Sequence, residues 1–168
     1  MGKIPIYIGM GGNLPHRTFG PPRQTLKEAL KALAGHGISV VRVSPWYRSA
    51  PVPASDQPWY VNAVAEIDTG LEADQLLAEL HRVEAAFGRI RSVPNAPRLI
   101  DLDLLDFRGR TAAGGKDRAT LPHPRMAGRA FVLRPLADLA PDWRHPATGQ
   151  AIGALIDALP ADQVIERM

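Results

Sequence analysis

Two aspartates two residues apart are the strongest sign of chemistry in this chain. Asp101 and Asp103 interrupt the apolar run Arg98-Leu99-Ile100-Asp101-Leu102-Asp103-Leu104-Leu105-Asp106-Phe107. Bounded by Pro97 and Gly109, this run is too short and too branched for a helix and predicts a buried strand over 98–107. In a strand, residues two apart share a face and lie on the order of 6.5 Å apart along the chain, so the two carboxylates project side by side. Unpaired carboxylates are costly in an apolar setting and demand a counter-charge, which a pair of hard divalent cations such as Mg²⁺ can supply. The competing reading is two acids on the solvated face of an amphipathic strand. The arginines just upstream shift the balance, because Arg89, Arg91 and Arg98 approach from both ends of the loop Ser92-Val93-Pro94-Asn95-Ala96-Pro97. A guanidinium holds phosphate bidentately. Carboxylates for metal beside arginines for phosphate are what phosphoryl transfer needs, since its catalysis is chiefly positioning and charge neutralisation. A surface salt-bridge network would use the same residue types.

A second constellation could read a flat ring. The strand expected from Trp59 to Ile67 turns Val61, Ala63, Ala65 and Ile67 to the core, leaving Tyr60 and Asn62 together on the opposite face. One can stack on a heterocycle while the other hydrogen-bonds its edge; a solvent-facing pair is equally ordinary. Further along, His123 stands between Pro122 and Pro124, followed by Arg129 and Phe131, a further cation and a further aromatic. The glycines Gly9, Gly11 and Gly12 fit neither common nucleotide motif, because Leu14 stands where a dinucleotide fingerprint has its third glycine and no Lys-Ser/Thr pair follows. A tight turn with positive φ is expected at Gly11 and Gly12, after the strand.

The elements that must position these residues follow from periodicity. Strands are expected from Ile4 to Gly9 and from Ile38 to Tyr47. A helix beginning at Pro21-Pro22 carries Leu26, Leu30 and Leu33 and ends at Gly35 and Gly37. A stiff loop with three prolines spans Ser49 to Pro58. The clearest helix runs from Ala73 to Phe87, with Leu76, Leu80, Val83 and Phe87 on one face and Glu84 beside them, and Gly88 ends it. Gly114-Gly115-Lys116-Asp117 reads as a hairpin tip, Pro135 to Pro146 as irregular chain with Trp143 over the core, and Ile152 to Leu159 as a last short helix. The 168 residues, 45% of them hydrophobic, suit one domain over 1–168 with one active site. The chain has no cysteine, which excludes disulfides and thiolate chemistry. A formal charge of +3 does not by itself argue for nucleic acid. No basic leader precedes a long apolar core, and no run approaches the ~18 residues of a membrane span, so a cytoplasmic protein is expected.

Four blocks in order make the chain resemble the 6-hydroxymethyl-7,8-dihydropterin pyrophosphokinase family of folate biosynthesis over nearly its whole length. They are Tyr7-Ile8-Gly9-Met10-Gly11-Gly12-Asn13-Leu14; Ser44-Pro45-Trp46-Tyr47-Arg48-Ser49-Ala50-Pro51 with Asp56-Gln57-Pro58-Trp59-Tyr60-Val61-Asn62; Glu84 and Gly88-Arg89-Ile90-Arg91 to Pro97-Arg98-Leu99-Ile100-Asp101-Leu102-Asp103; and Pro122-His123-Pro124-Arg125-Met126 with Arg129-Ala130-Phe131-Val132-Leu133. The resemblance implies a ferredoxin-like α+β fold, an antiparallel sheet with helices on one face and substrates on the other. It implies transfer of pyrophosphate from ATP to the pterin hydroxymethyl oxygen, with release of AMP. Asp101 and Asp103 match ligands for two Mg²⁺ ions, and Arg89 and Arg98 match catalytic arginines. Tyr60 and Phe131 match rings that sandwich the pterin, Asn62 the amide that reads its edge, with backbone around Ser49 and Val52 assisting. Glu84, Arg91, Arg118, Thr120, His123 and Arg129 match positions around the nucleotide and phosphates. The chain departs from the pattern in having Gly12 for a serine, Ser92 for a lysine, and a loop before Arg98 one residue shorter, with Asn95-Ala96 for Trp-Gly. The implied partners are small molecules, ATP and a reduced pterin, handled by a monomer without nucleic acid or membrane. Two other classes share some of these features. A ferredoxin-like nucleic-acid-binding module would do no chemistry, and a metal-dependent nuclease would cleave nucleic acid without ATP.

Overall fold

The computed structural model describes residues 3–88 and 99–168. Within them the order is β1 (Ile6–Gly12), α1 (Pro22–Ala32), β2 (Ile38–Val43), β3 (Tyr47–Ser49), β4 (Tyr60–Thr69), α2 (Ala73–Ala86), β5 (Asp101–Phe107), β6 (Ala112–Gly115), β7 (Arg118–Leu121), α3 (Ala130–Leu139), α4 (Ile152–Asp157) and β8 (Ile165–Arg167). The main sheet runs β5-β1-β4-β3-β8, with β2 also paired to β4, and all its pairs are antiparallel. Since β1 and β2 both run antiparallel to β4, they are parallel to each other, and α1 makes the crossover. By the same logic α2 links the parallel strands β4 and β5 around β1. These two interleaved split βαβ units make an α+β fold compatible with the expected ferredoxin-like arrangement.

Local sequence explains the helices. Pro22 sits in the first turn of α1, where its missing N–H costs nothing, and the following 3₁₀ turn at Leu33–His36 ends on Gly37 with φ 77°. Helix α2 opens with a capping box, in which Gln75 Oε1 accepts the Glu72 N–H at 2.9 Å. Its Leu76, Leu80 and Val83 meet Leu26, Ala29 and Leu33 over one face of the sheet, against Ile6, Ile8, Ala63, Ala65 and Leu102. The other face carries Tyr7, Val64 and Leu105, covered by α3 and α4 through Val132, Leu133, Leu136 and Leu155. Helices on one face describes α1 and α2; the opposite face is divided between α3 with α4 and an open cleft.

Three sequence expectations need correction. The single strand expected over 38–47 is two, because Pro45 has no N–H to continue the ladder. Ser44 bridges the gap, its N–H donating to Val64 O at 2.8 Å and its Oγ accepting the Val64 N–H at 2.9 Å. The segment after Pro135 is not irregular from its start, since α3 runs through that proline to Leu139. Burial of Val132, Leu133, Leu136 and Leu139, at about 1.5–3 kcal/mol each, outweighs the ~3 kcal/mol cost of a mid-helix proline. Gly11 and Gly12 form no tight turn. They lie within β1 with no positive φ.

Strand β5 carries a bulge: Tyr7 pairs with Asp106 and Ile8 with Leu104, leaving Leu105 extra. Leu105 and Asp106 therefore both turn towards α3 and α4, and Phe107 returns to the α1/α2 side. Asp106 is buried, and accepts the Trp143 indole N–H at 2.8 Å and the Gly109 N–H at 2.9 Å. Burial pushes its carboxyl above the ordinary carboxylate range, against the lowering effect of the Trp143 bond. Among the described residues no helix is long and apolar enough to cross a membrane.

Trp143→Phe should cost about 1–3 kcal/mol by leaving one carboxylate oxygen without its donor. Losing a bond that lowers the pKa moves Asp106 further up, so the folded variant holds its proton to higher pH than the unfolded chain, and stability falls as pH rises through that window. The deficit relative to wild type is expected to be full above the raised pKa and to shrink below it, as read by urea unfolding across pH.

Candidate active site

On the uncovered part of the sheet, register brings the predicted residues into rows. Asp101 pairs with Gly11 and Gly11 with Asn62; Asp103 pairs with Gly9. Directly paired residues point to one face, about 4.8 Å apart per strand. Because position 11 has no side chain, the floor between the Asp101 carboxylate and the Asn62 amide is open, whereas at Gly9 the Leu105 methyl groups pack 3.4 Å from where a Cβ would stand. A Cβ on Gly11 would stand 2.8 Å from Asn62 Oδ1, so any larger residue would push that amide aside. The result is a cleft of about 300 Å³, the lower end of the range for small-molecule sites.

Asp101 and Asp103, both half-buried, form one side of the cleft. Tyr60, Asn62, Ser49 and the loop through Val52 form the other, and Arg129 and Phe131 close the end at the start of α3. The Asn62 Nδ2 donates to Ser49 Oγ at 2.7 Å in a buried bond, which fixes the orientation of the amide. The Arg129 guanidinium lies over the Phe131 ring, 5.4 Å from its centroid. The proline-rich loop is stitched to β1 through Asn13, whose Nδ2 donates to Gln57 Oε1 at 3.1 Å and to Pro58 O at 3.0 Å; the Tyr60 hydroxyl donates to the same Gln57 oxygen at 3.1 Å. Asn13 and Gln57 thus hold the aromatic wall, a role that the sequence assigns to neither. Their position within the first two blocks is the only signal.

Other predicted residues do not line the cleft. His123 flanks the outer edge of β5, its N–H donating to Leu105 O at 2.8 Å. The Arg125 N–H donates to His123 Nδ1 at 3.1 Å, leaving Nε2 to carry the proton of the neutral ring. Burial holds this imidazole below its ordinary pKa; Asp103 opposes that effect, and Arg129 and Arg125 add to it. Arg118 and Thr120 are exposed on β7, in the β6–β7 hairpin. Glu84 is buried on the α2 side, where its Oε2 accepts the Leu102 N–H at 2.7 Å. It grips the backbone between Asp101 and Asp103 from beneath. Arg89, Arg91 and Arg98 lie outside the described residues.

Among the described residues no group of three or more His, Cys, Asp or Glu side chains converges as a metal cage. A divalent cation at this place would have the carboxylate pair as its protein donors. Two hard oxygen donors fit Mg²⁺, which keeps waters and phosphate oxygens as its remaining ligands.

Comparison with known proteins identifies the family. Residues 7–141 match the family model described as 7,8-dihydro-6-hydroxymethylpterin-pyrophosphokinase. A 2-amino-4-hydroxy-6-hydroxymethyldihydropteridine pyrophosphokinase of Pseudomonas aeruginosa is 40% identical over 164 residues, covering 97% of this chain and 96% of that protein. The protein of the same name from Synechocystis is 40% identical over 94% of this chain and 77% of its own length. The folic acid synthesis protein fol1 of Pneumocystis carinii is 36% identical over 92% of this chain, which spans only 20% of that longer protein. Among solved structures, the wild-type HPPK-DHPS of Plasmodium falciparum superposes with a TM-score of 0.67 at 11% identity, over 93% of this chain and 44% of that one, a likeness of fold alone. With the family model spanning β1 to the end of α3, and the Pseudomonas relative matched nearly end to end, the chain belongs to the 7,8-dihydro-6-hydroxymethylpterin-pyrophosphokinase family.

Proposed function

We propose that this cleft transfers pyrophosphate from ATP to the hydroxymethyl oxygen of 6-hydroxymethyl-7,8-dihydropterin and releases AMP, a step of folate biosynthesis. The observation that carries the reading is the glycine floor, which has a carboxylate pair on one side and an aromatic and amide wall on the other. A flat bicycle lying over Gly11 meets Asn62 at its edge and extends its hydroxymethyl arm towards Asp101 and Asp103. Tyr60 and Phe131 supply the two ring faces, and backbone groups near Ser49 and Val52 complete the edge contacts.

The phosphates of ATP belong on the β5 side. Asp101 and Asp103 would hold two Mg²⁺ ions, which neutralise phosphate charge and favour ionisation of the attacking alcohol. Arg129 reaches phosphate from the end wall, and Arg89, Arg91 and Arg98 are assigned to the transferring group on the strength of the sequence match. Arg118, Thr120 and His123 line the route beyond the outer edge of β5, where the nucleoside would extend. A neutral His123 donates from Nε2 and adds no charge of its own. Glu84 serves the nucleotide site through the Leu102 backbone. No side chain is needed as a strong base, because an alcohol attacking in line can lose its proton late. The substrates are small molecules, the whole of 1–168 acts as one domain and a monomer, and the setting is cytoplasmic.

The direct test is AMP formation from ATP and Mg²⁺ with and without the pterin. AMP only when pterin is present, matched by a pterin diphosphate, is the expected result; cleavage of nucleic acid without ATP would overturn the assignment. Asp101→Asn and Asp103→Asn should each lower turnover by about 10²–10³-fold while the fold survives, measured by single-turnover AMP release alongside circular dichroism. Gly11→Ala should weaken pterin binding by about 1–2 kcal/mol, the range for a side chain forced out of place, and leave the affinity for ATP unchanged in calorimetric titration.

A further inference from the structure

Helix α3 opens without a cap of its own. Its N-cap residue is Arg129, whose side chain makes no bond to the first turn, although the free N–H groups of a helix start need acceptors. The acceptor for the first of them comes from the C-terminal segment: Gln163 Oε1 takes the Ala130 N–H at 2.8 Å. The other half of the same amide, Nε2, donates to Gly128 O at 2.7 Å. One planar side chain therefore grips the main chain on both sides of Arg129, one residue short of Phe131, and itself lines the cleft.

The opposite wall is tied to the same few residues. Val164 O accepts the Ala50 N–H at 3.1 Å, and Ile165, Glu166 and Arg167 pair with Ser49, Arg48 and Tyr47. Residues 163 and 164 thus join the end wall to the start of the Ala50–Val52 loop. We infer that Gln163 is a positioning residue which sets the separation between the Phe131 end of the cleft and its Ser49–Val52 wall, and so the fit of a stacked heterocycle. This rests on the pterin-binding role of the cleft. An amide is the side chain suited to a double grip of this kind, since a lysine could only donate and an ionised glutamate only accept. Stacking is sensitive to such placement, because ring contacts depend on separation and offset, and displacements of about 1 Å in a positioned group are felt strongly in catalysis.

The test is Gln163→Met, which keeps length and volume but removes both bonds, with Gln163→Glu as a conditional rescue. Four quantities are measured: pterin affinity in the presence of a non-hydrolysable ATP analogue, affinity for the analogue alone, the thermal midpoint, and the pH dependence of pterin binding relative to wild type. The expected result for Gln163→Met is pterin affinity about tenfold weaker, as for a small displacement of a positioned group, with analogue affinity within about twofold and the midpoint lower by only a few degrees, as for the loss of two intramolecular hydrogen bonds. Gln163→Glu should bind pterin weakly at neutral pH and approach wild type as its carboxyl protonates and regains a donor. Unchanged pterin affinity in Gln163→Met overturns the inference, as does a joint loss of both affinities with the midpoint, or a Gln163→Glu ratio to wild type that is flat with pH. Wild-type protein that binds no pterin would instead overturn the pterin-binding role of the cleft, and this inference with it.

Discussion

The alternation of side chains along β5 is the constraint on which the site depends. Leu102 and Leu104 belong to the core under α1 and α2, and burying them commits Asp101 and Asp103 to the other face. A register slip of one residue would drive both carboxylates into that core and both leucines into the cleft. Hydrophobic packing, at about 1.5–3 kcal/mol for each buried leucine, therefore places the charged pair. Glu84 reinforces the placement from beneath, since its bond to the Leu102 N–H occupies a main-chain donor that faces away from β1. The bulge at Leu105 then resets the strand. Without it Asp106 would fall on the α1/α2 side, away from the indole that satisfies it.

A sheet face left open must be held in shape by something other than a core. Here hydrogen bonds take over where the helices stop. Helices α3 and α4 cover Tyr7, Val64 and Leu105, and beyond them the walls are fixed by Asn13 to Gln57 and Pro58, by Asn62 to Ser49, and by Gln163 to the start of α3. A further knot lies behind the end wall: the Tyr47 hydroxyl and Arg167 both bond to Asp138 on α3, the latter at 2.8 Å. Strand β3, helix α3 and strand β8 are thereby joined on the side of the cleft opposite the carboxylates.

The features legible in the sequence are those with short-range signatures. The Asp101–Asp103 spacing, the stripe of α2 and the pairing of Tyr60 with Asn62 on one face depend only on the period of the element that carries them. The glycines of β1 mislead because a glycine signals freedom of φ and absence of a side chain equally, and only the register with Asp101 and Asn62 shows which is needed. Helix α3 is hidden by Pro135, although Val132, Leu133, Leu136 and Leu139 have helical spacing. Gln163 has no local signature at all. Its partners are main-chain atoms more than thirty residues away, and a polar residue near a chain end looks like any exposed one.

The sheet also acts as a ruler for the proposed chemistry. Asp101 and Asn62 sit two strands apart in one row across Gly11, so their backbones are separated by about 10 Å. That span is set by backbone hydrogen bonding and cannot drift with side-chain rotamers. A ligand that reaches from the amide to the carboxylate pair must fill it with a flat body and a short arm; a longer ligand would collide with one wall, and a single ring would leave one end unmet. On the proposed reading, specificity for a bicycle bearing a one-carbon alcohol would follow from strand spacing and the missing side chain of Gly11, with the charged residues left to handle phosphate. The proposed division would put shape recognition on β1 and β4 and charge on β5, so that either function could be altered with the other intact.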